Sequence, residues 1–293
     1  MSQILTHPSE IFKLNITKKS RVYTAEISTK IIQNKKTIYS NIAEEFILSF
    51  VRKEDGLFVY RKEVQKRFFL NEINFILKKP NKVQELALKI AAINDNLELL
   101  VNKHFQIVKI INTDEIRKKW EEIKKNILKQ YSDISDIAND FDTLLKEKNI
   151  QRIFLEDNFL NLLFSNLFHK EMSTKKATIE KRIITNGIGA INVPIIEKRK
   201  LIKRKKLFSN LIKIEMSAEL DTENKKFPLA KMNAFIGKLN TVNRSEHKLH
   251  FKYKGNYNID PDLGLVDEAE LIYTFDIPNL YKKISTFNLK LED

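Results

Sequence analysis

The densest group of side chains able to do chemistry is a basic run, Glu197-Lys198-Arg199-Lys200-Leu201-Ile202-Lys203-Arg204-Lys205-Lys206, with seven cations in ten residues. Cations this close together attract phosphates, anionic lipid headgroups or an acidic protein. Lys198, Arg199, Lys200, Lys203, Arg204, Lys205 and Lys206 are therefore the candidate partner-binding residues. The competing reading is a solvated edge whose lysines discourage sheet-to-sheet aggregation. Nucleic-acid binding calls for stacking aromatics among the cations. Only Phe208 lies close.

The other reactive groups are scattered. His247 and His250 form an H-x-x-H in an expected strand, where a separation of three places them on opposite faces. They make a poor metal pair. His104 and His169 stand alone. Asp260, Asp262, Asp267, Glu268 and Glu270 surround a turn at Gly264. The start resembles a calcium loop, but the third acidic position is missing and the glycine comes one position early. An acidic strand face after a turn is the simpler reading, and it could pair with the basic run. Zero Cys excludes a disulfide framework, a thiol nucleophile and thiolate metal sites. No G-x-x-x-x-G-K-[ST], G-x-G-x-x-G or G-x-S-x-G occurs, and six glycines offer little material for phosphate-cradling loops. The chain is read as non-enzymatic, with no cofactor and no metal.

The elements that must position these groups follow from periodicity. Residues 11–70 read as β: a strand from Arg21 to Gln33, a turn at Asn34-Lys35-Lys36, and a second strand from Thr37 to Val51. Asp55-Gly56 is the strongest hairpin signal, and Leu57 to Phe69 alternates apolar and charged residues as a half-buried strand does. Residues 81–170 read as mainly helical. Val83, Leu86, Ile90, Ile93, Leu97 and Leu100 form one stripe at helical spacing. A short strand from His104 to Ile111 follows, and then Asn112 with Glu115 fits an N-cap and its partner. Ile116, Trp120, Ile123 and Ile127 continue a helix, and Ile134, Ile137, Phe141 and Leu144 mark a third. A fourth, from Phe154 to Phe168, is apolar on more than one side and needs a sheet to cover it.

Residues 177–293 return to β. Asn186-Gly187-Ile188-Gly189 turns between the strands 177–185 and 190–196, and further strands are expected at 207–220, 247–257, 265–277 and 285–291. Residues 229–240 fit a short helix. The order is strands, helices, strands, with no evident linker. This favours one interrupted α+β domain, an antiparallel and curved sheet with the helices on one face. Two β-lobes flanking a helical unit is the alternative. In element order the chain resembles half-barrels of the lipoprotein-carrier type; no residue motif accompanies the likeness, and no function is carried from it.

Composition bounds the function class. The chain has 293 residues, 42% of them hydrophobic, enough for a core without staples. The net charge of +14 is local. Residues 173–256 carry +13, and residues 257–293 carry −5. No stretch approaches 18 apolar residues, and the first ten residues have no signal-peptide pattern, so the expected compartment is the cytoplasm. The expected function is a protein-interaction module: a chaperone, an adaptor or a component of a larger assembly. The first alternative is a carrier of an apolar ligand lined by Phe154, Phe159, Phe164 and Phe168. The second is nucleic-acid or anionic-surface binding through residues 198–206. The partner's identity stays open.

Overall fold

A computed structural model describes residues 9–14, 20–202, 211–239, 248–260 and 265–292. Along the chain these form β1 (Ser9–Ile11), β2 (Ser20–Gln33), β3 (Lys36–Glu54), β4 (Leu57–Phe69), α1 (Lys82–Ala91), β5 (Asn96–Val101), β6 (Ile107–Ile110), α2 (Thr113–Gln130), α3 (Ser135–Leu144), α4 (Glu147–Leu155) and α5 (Asn158–Leu163). They continue as β7 (Glu171–Ser173), β8 (Thr178–Ile188), β9 (Ile191–Leu201), β10 (Ile212–Leu220), α6 (Leu229–Leu239), β11 (His250–Asp260), β12 (Leu265–Ile277) and β13 (Tyr281–Glu292). The structure is mostly antiparallel β with helices. Hydrogen bonding orders eleven strands as β6-β5-β4-β3-β2-β13-β12-β11-β10-β9-β8, and the sheet does not close. No described helix is long and apolar enough to cross a membrane.

The hairpins sit where left-handed backbone is tolerated. Asn34 and Lys35 take φ of 49° and 68° between β2 and β3, and Asp55-Gly56 takes 48° and 79° between β3 and β4. The chain packs as two compact units. The first holds Met1–Asn15, Glu26–Ser40 and Leu167–Lys290; the second holds Ile16–Ala25, Asn41–Asn166 and Leu291–Asp293. The long strands β2 and β3 contribute residues to both.

In the first unit, β9 to β13 alternate cleanly. Tyr253, Tyr257 and Ile259 of β11, Leu271, Tyr273 and Phe275 of β12, and Phe287 and Leu289 of β13 are buried. Lys252, Lys254, Glu270, Asn288 and Lys290 between them face solvent. One face is therefore apolar and the other wet, as expected of an antiparallel sheet with one covered side. The sheet also curls. Lys283 Nζ of β13 lies 2.5 Å from the Asn186 carbonyl oxygen of β8, and the Gly189 N–H donates to Tyr281 Oη at 3.1 Å. On a flat sheet β13 and β8 would stand five spacings apart, roughly 24 Å, far beyond the reach of one lysine. The curl brings these two strands together by side chains alone, since β8 pairs only with β9 among the described strands.

In the second unit the helices cover the sheet. Phe159 of α5 meets Phe46 of β3 edge-on, with ring centroids 5.9 Å apart, and Phe164 packs 4.9 Å from Phe105 and 6.4 Å from Tyr60 of β4. Gln151 of α4 donates to the Ile110 carbonyl and accepts from its N–H, occupying polar groups on the edge strand β6.

Two expected helices differ from the stripe that announced them. The helix from Val83 stops at Ala91, and Leu97 and Leu100 belong to β5. There Leu97, Leu99 and Val101 are buried at every second position and pair with β4, so strand pairing overrides a stripe that also fits a helix. The Phe-rich segment splits into α4 and α5 because the Asp157 carboxylate accepts from Leu160 N at 2.7 Å and starts a new helix. Asn112 does precede α2, but its side chain makes no bond to the helix backbone: Oδ1 accepts from Glu98 N, and Nδ2 donates to the Asn96 carbonyl and, at 3.4 Å, to the Glu115 carboxylate.

Candidate functional site

The concave side of the curled sheet in the first unit carries a buried charge network. Along β9, the parity that buries Val193, Ile195 and Leu201 also turns Glu197 and Arg199 inward. Glu197 is fully buried. It accepts from Arg182 Nη1 of β8 at 2.8 Å, from Arg199 Nε at 2.6 Å, and from the Tyr253 hydroxyl of β11. Arg199 also reaches Glu180 at 3.0 Å, and its guanidinium lies 6.0 Å from the Tyr257 ring centroid. Two carboxylates face two guanidiniums, so the group is neutral overall.

Burial and the facing charges shift Glu197, Arg182 and Arg199 of this network in opposite directions. Burial pushes the Glu197 carboxyl up, but Arg182 and Arg199 outweigh it and hold it at about 2. Burial drives the Tyr253 hydroxyl well above its usual range, with the Glu197 charge adding to it. Burial alone would lower Arg182 and Arg199, yet the facing carboxylates raise both. A general acid or base needs a pKa near the working pH, and Glu197, Tyr253, Arg182 and Arg199 are all shifted away from it. The arrangement can hold, orient and hydrogen-bond.

Two polar atoms on the same concave face lack a hydrogen-bond partner among the described residues: the Tyr257 hydroxyl, whose pKa burial raises to about 12, and the Ser285 hydroxyl of β13. Both side chains are fully buried. Buried hydroxyls are nearly always matched, because leaving one unmatched costs on the order of 1–3 kcal/mol. Two residues before Tyr257 on β11 lies Gly255. A Cβ there would stand 2.5 Å from the Glu270 carbonyl oxygen and 2.7 Å from Met216 Cε, so a flexible Met fills space that another residue would block.

One end of the curl is stoppered by α6. Its Phe235 ring stands edge-on to Tyr281 at 5.1 Å and lies over Gly189, where a Cβ would be 3.0 Å away. Among the described residues of the helix, Met232 is the buried one. Tyr281 also lines a cleft of about 470 Å³ with Ile32, Asn34, Lys35, Asp276 and Lys282, at the tips of two hairpins.

A second buried network occupies the other unit. Lys62 donates to Glu44 at 2.7 Å and lies 4.4 Å over the Phe46 ring, while Arg67 bridges Glu44 and Asp95. Burial lowers Lys62; it would raise Glu44, but Lys62 and Arg67 prevail and lower it. Every cation here has a carboxylate and an aromatic or strand neighbour, which is the pattern of a structural ion pair.

Of the residues expected to bind a partner, the three that the structure describes lie on β9. Lys198 pairs with Glu219 of β10 at 3.0 Å, Lys200 is exposed on the same strand, and Arg199 is buried in the network above. Lys203, Arg204, Lys205 and Lys206 lie outside the described residues, as does His247. Glu268 and Glu270 do not face the described part of the basic run on β9: β10 and β11 intervene, and their carboxylates accept from Asn258 and Asn256. Phe154, Phe159, Phe164 and Phe168 are all buried; the first three belong to the second unit and Phe168 to the first. Sequence reasoning missed Glu197, Tyr253 and Tyr257. The parity of β9 would have placed Glu197 and Arg199 on the apolar face.

No family model matches the chain, and no curated protein matches it. Among solved structures, "Lipid-protein interactions in lipovitellin" matches 96% of this chain and 25% of that one, at 10% identity and TM-score 0.48. The chain thus spans a quarter of that chain's length. A putative outer membrane lipoprotein-sorting protein domain from Vibrio parahaemolyticus matches at 6% identity and TM-score 0.18, covering 93% of this chain and 86% of that one. A DUF1329 family protein from Desulfovibrio piger matches at 7% identity and TM-score 0.19, covering 94% and 88%. At these scores the likeness assigns no family. None of these matches is described as a cytoplasmic chaperone or adaptor, and that expectation is withdrawn together with its compartment. The features that motivated it are used internally: Arg199 sits in a buried network, and Phe159 and Phe164 are covered by β3 and β4.

Proposed function

We propose that this chain binds and carries an amphipathic, lipid-class ligand on the concave face of β8 to β13, without transforming it. The observation that carries the reading is the pair of unmatched buried hydroxyls, Tyr257 and Ser285, set in a mostly apolar concave face. An acyl chain suits the aliphatic and aromatic lining, and an acceptor on the ligand suits the two free donors; ligand sites combine a mostly apolar wall with a few placed polar groups. Access fits the same picture. β8 and β13 meet through side chains rather than a backbone ladder, and α6 is anchored by one buried side chain among its described residues, so opening that end breaks few contacts. Side chains fill the interior, and Met216 and Phe235 are the groups that give way to a ligand. Finer features of the fold belong to this reading as well: one curved sheet whose helices lie on one face.

The experiment is delipidation followed by titration with a long-chain fluorescent fatty acid and, separately, with a fluorescent phospholipid. Saturable binding weakened about 10-fold by Tyr257→Phe, with the melting temperature unchanged, supports the reading. Saturable binding indifferent to Tyr257→Phe and Ser285→Ala places the ligand elsewhere, and no saturable binding of either probe ends the proposal.

A further inference from the structure

The segment between β4 and α1 holds three large apolar side chains in water. Ile73 is 73%, Phe75 67% and Ile76 60% exposed, and Val83 at the start of α1 is 75% exposed. The exposure is built in. The Asn71 carboxamide oxygen accepts from Ile73 N at 3.0 Å and from Phe75 N at 2.9 Å, while Asn71 N donates to the Phe75 carbonyl. Asn74 takes φ of 61°, and its side-chain oxygen accepts from Asn41 Nδ2 of β3 at 3.0 Å. Leu70 and Ile76 form a β-bridge that closes the base. The finger is thus tied at its tip, at its base and to the sheet, so its apolar side chains are held outward by backbone geometry.

The flanking charges indicate what such a finger meets. Lys78, Lys79 and Lys82 follow directly, all exposed, and none forms an ion pair among the described residues. Glu72 is the one acidic residue from Asn71 to Val83. A water-soluble surface seldom offers apolar side chains in a fixed cluster without a partner. Apolar tips followed by unpaired lysines match a surface that is apolar within and anionic at its boundary. The acyl region takes Ile73, Phe75 and Ile76, the lysine stems lie along the boundary, and their ammonium groups meet the headgroups.

We infer that the finger from Asn71 to Lys82 docks this protein on an anionic lipid bilayer, with Ile73, Phe75 and Ile76 inserted and Lys78, Lys79 and Lys82 on the headgroups. The inference does not depend on the concave face of the other unit, although a lipid carrier needs such a dock to collect and deliver its cargo.

The test is flotation of the full chain with vesicles of phosphatidylcholine alone and of phosphatidylcholine mixed with phosphatidylglycerol. The expected result is binding to the mixed vesicles that weakens as salt rises. Lys78→Gln, Lys79→Gln and Lys82→Gln together should lower the partition on the order of 100-fold, at about 1 kcal/mol per lysine near the surface. Ile73→Ser, Phe75→Ser and Ile76→Ser together should abolish it, with the melting temperature unchanged because the sites are exposed. A Phe75→Trp chain should shift its emission to the blue on the mixed vesicles and be quenched by brominated acyl chains. Equal partition of the wild type and the triple Ser variant overturns the inference. So does concentration-dependent self-association removed by the same variant, which would make a second copy of the chain the occupant. Loss of vesicle binding with fatty-acid binding in solution intact separates failure of the dock from failure of the carrier reading.

Discussion

Replacing Glu197 with Gln removes the carboxylate that joins β8, β9 and β11 inside the curl. The wild-type carboxylate is fully buried and meets Arg182, Arg199 and Tyr253. In the variant Arg199 keeps Glu180, but Arg182 loses its carboxylate while its side chain stays only 10% exposed. Breaking a buried pair by removing one member costs about 3–5 kcal/mol. The pH linkage gives a similar figure. The carboxyl stands at about 2 against an ordinary value of 4.5, a gap worth about 3 kcal/mol. Because the folded value is depressed, this stability is fully present above 4.5 and lost as pH falls toward 2. Chemical denaturation should therefore show Glu197→Gln destabilised by about 3–5 kcal/mol at pH 7, and the gap between the two proteins should close as pH falls from 4.5 toward 2. Adding Arg182→Met should recover part of the loss at pH 7. A loss under about 1 kcal/mol, or a gap that does not depend on pH, would refute the reasoning.

Within the basic run, Arg199→Gln should destabilise by about 3 kcal/mol, while Lys200→Gln should stay within about 0.5 kcal/mol, as read by urea midpoints at constant slope. Trp120→Ala should cost about 3–5 kcal/mol, since the ring is 1% exposed and its Nε1 donates to Asp142 at 2.8 Å; near-wild-type melting would contradict the burial. Gly255→Ala should cost about 1–3 kcal/mol because its methyl would press on the Glu270 carbonyl backbone, and paired Gly255→Ala and Met216→Ala should not restore it, since backbone is the nearer obstacle.

The sequence was most readable where one local signal had no rival. Leu57–Phe69 interleaves apolar and charged residues and is a strand, and Leu265–Ile277 matches to the residue. Asp55-Gly56 turns because left-handed backbone is easy there. It misled where one pattern fits two periods. Leu97 and Leu100 continue a helical stripe, and yet β4 offers Leu97 a strand partner at Lys62. The described part of the basic run is legible only through strand parity. Seven cations look like one surface, but β9 sends Lys198 and Lys200 outward and Arg199 inward, and only parity followed from Ile195 reveals it. The rest was not legible locally. Tyr253 meets Glu197 across 56 positions, and Lys283 meets Asn186 across 97, because the sheet curls. Charge balance along the chain likewise did not show that two strands stand between Glu268 and Glu270 of β12 and Lys198 and Lys200 of β9.

The presence of a lipid-class ligand on the concave face is tested most directly by extracting the protein purified under native conditions with organic solvent and identifying what is released by mass spectrometry. The expected result is an acyl-chain compound at near-stoichiometric yield from the wild type, and at a yield about 10-fold lower from Tyr257→Phe folded to the same stability. An extract without any acyl-chain compound above the level of a control protein, from wild-type protein expressed in cells where such lipids are abundant, would contradict it.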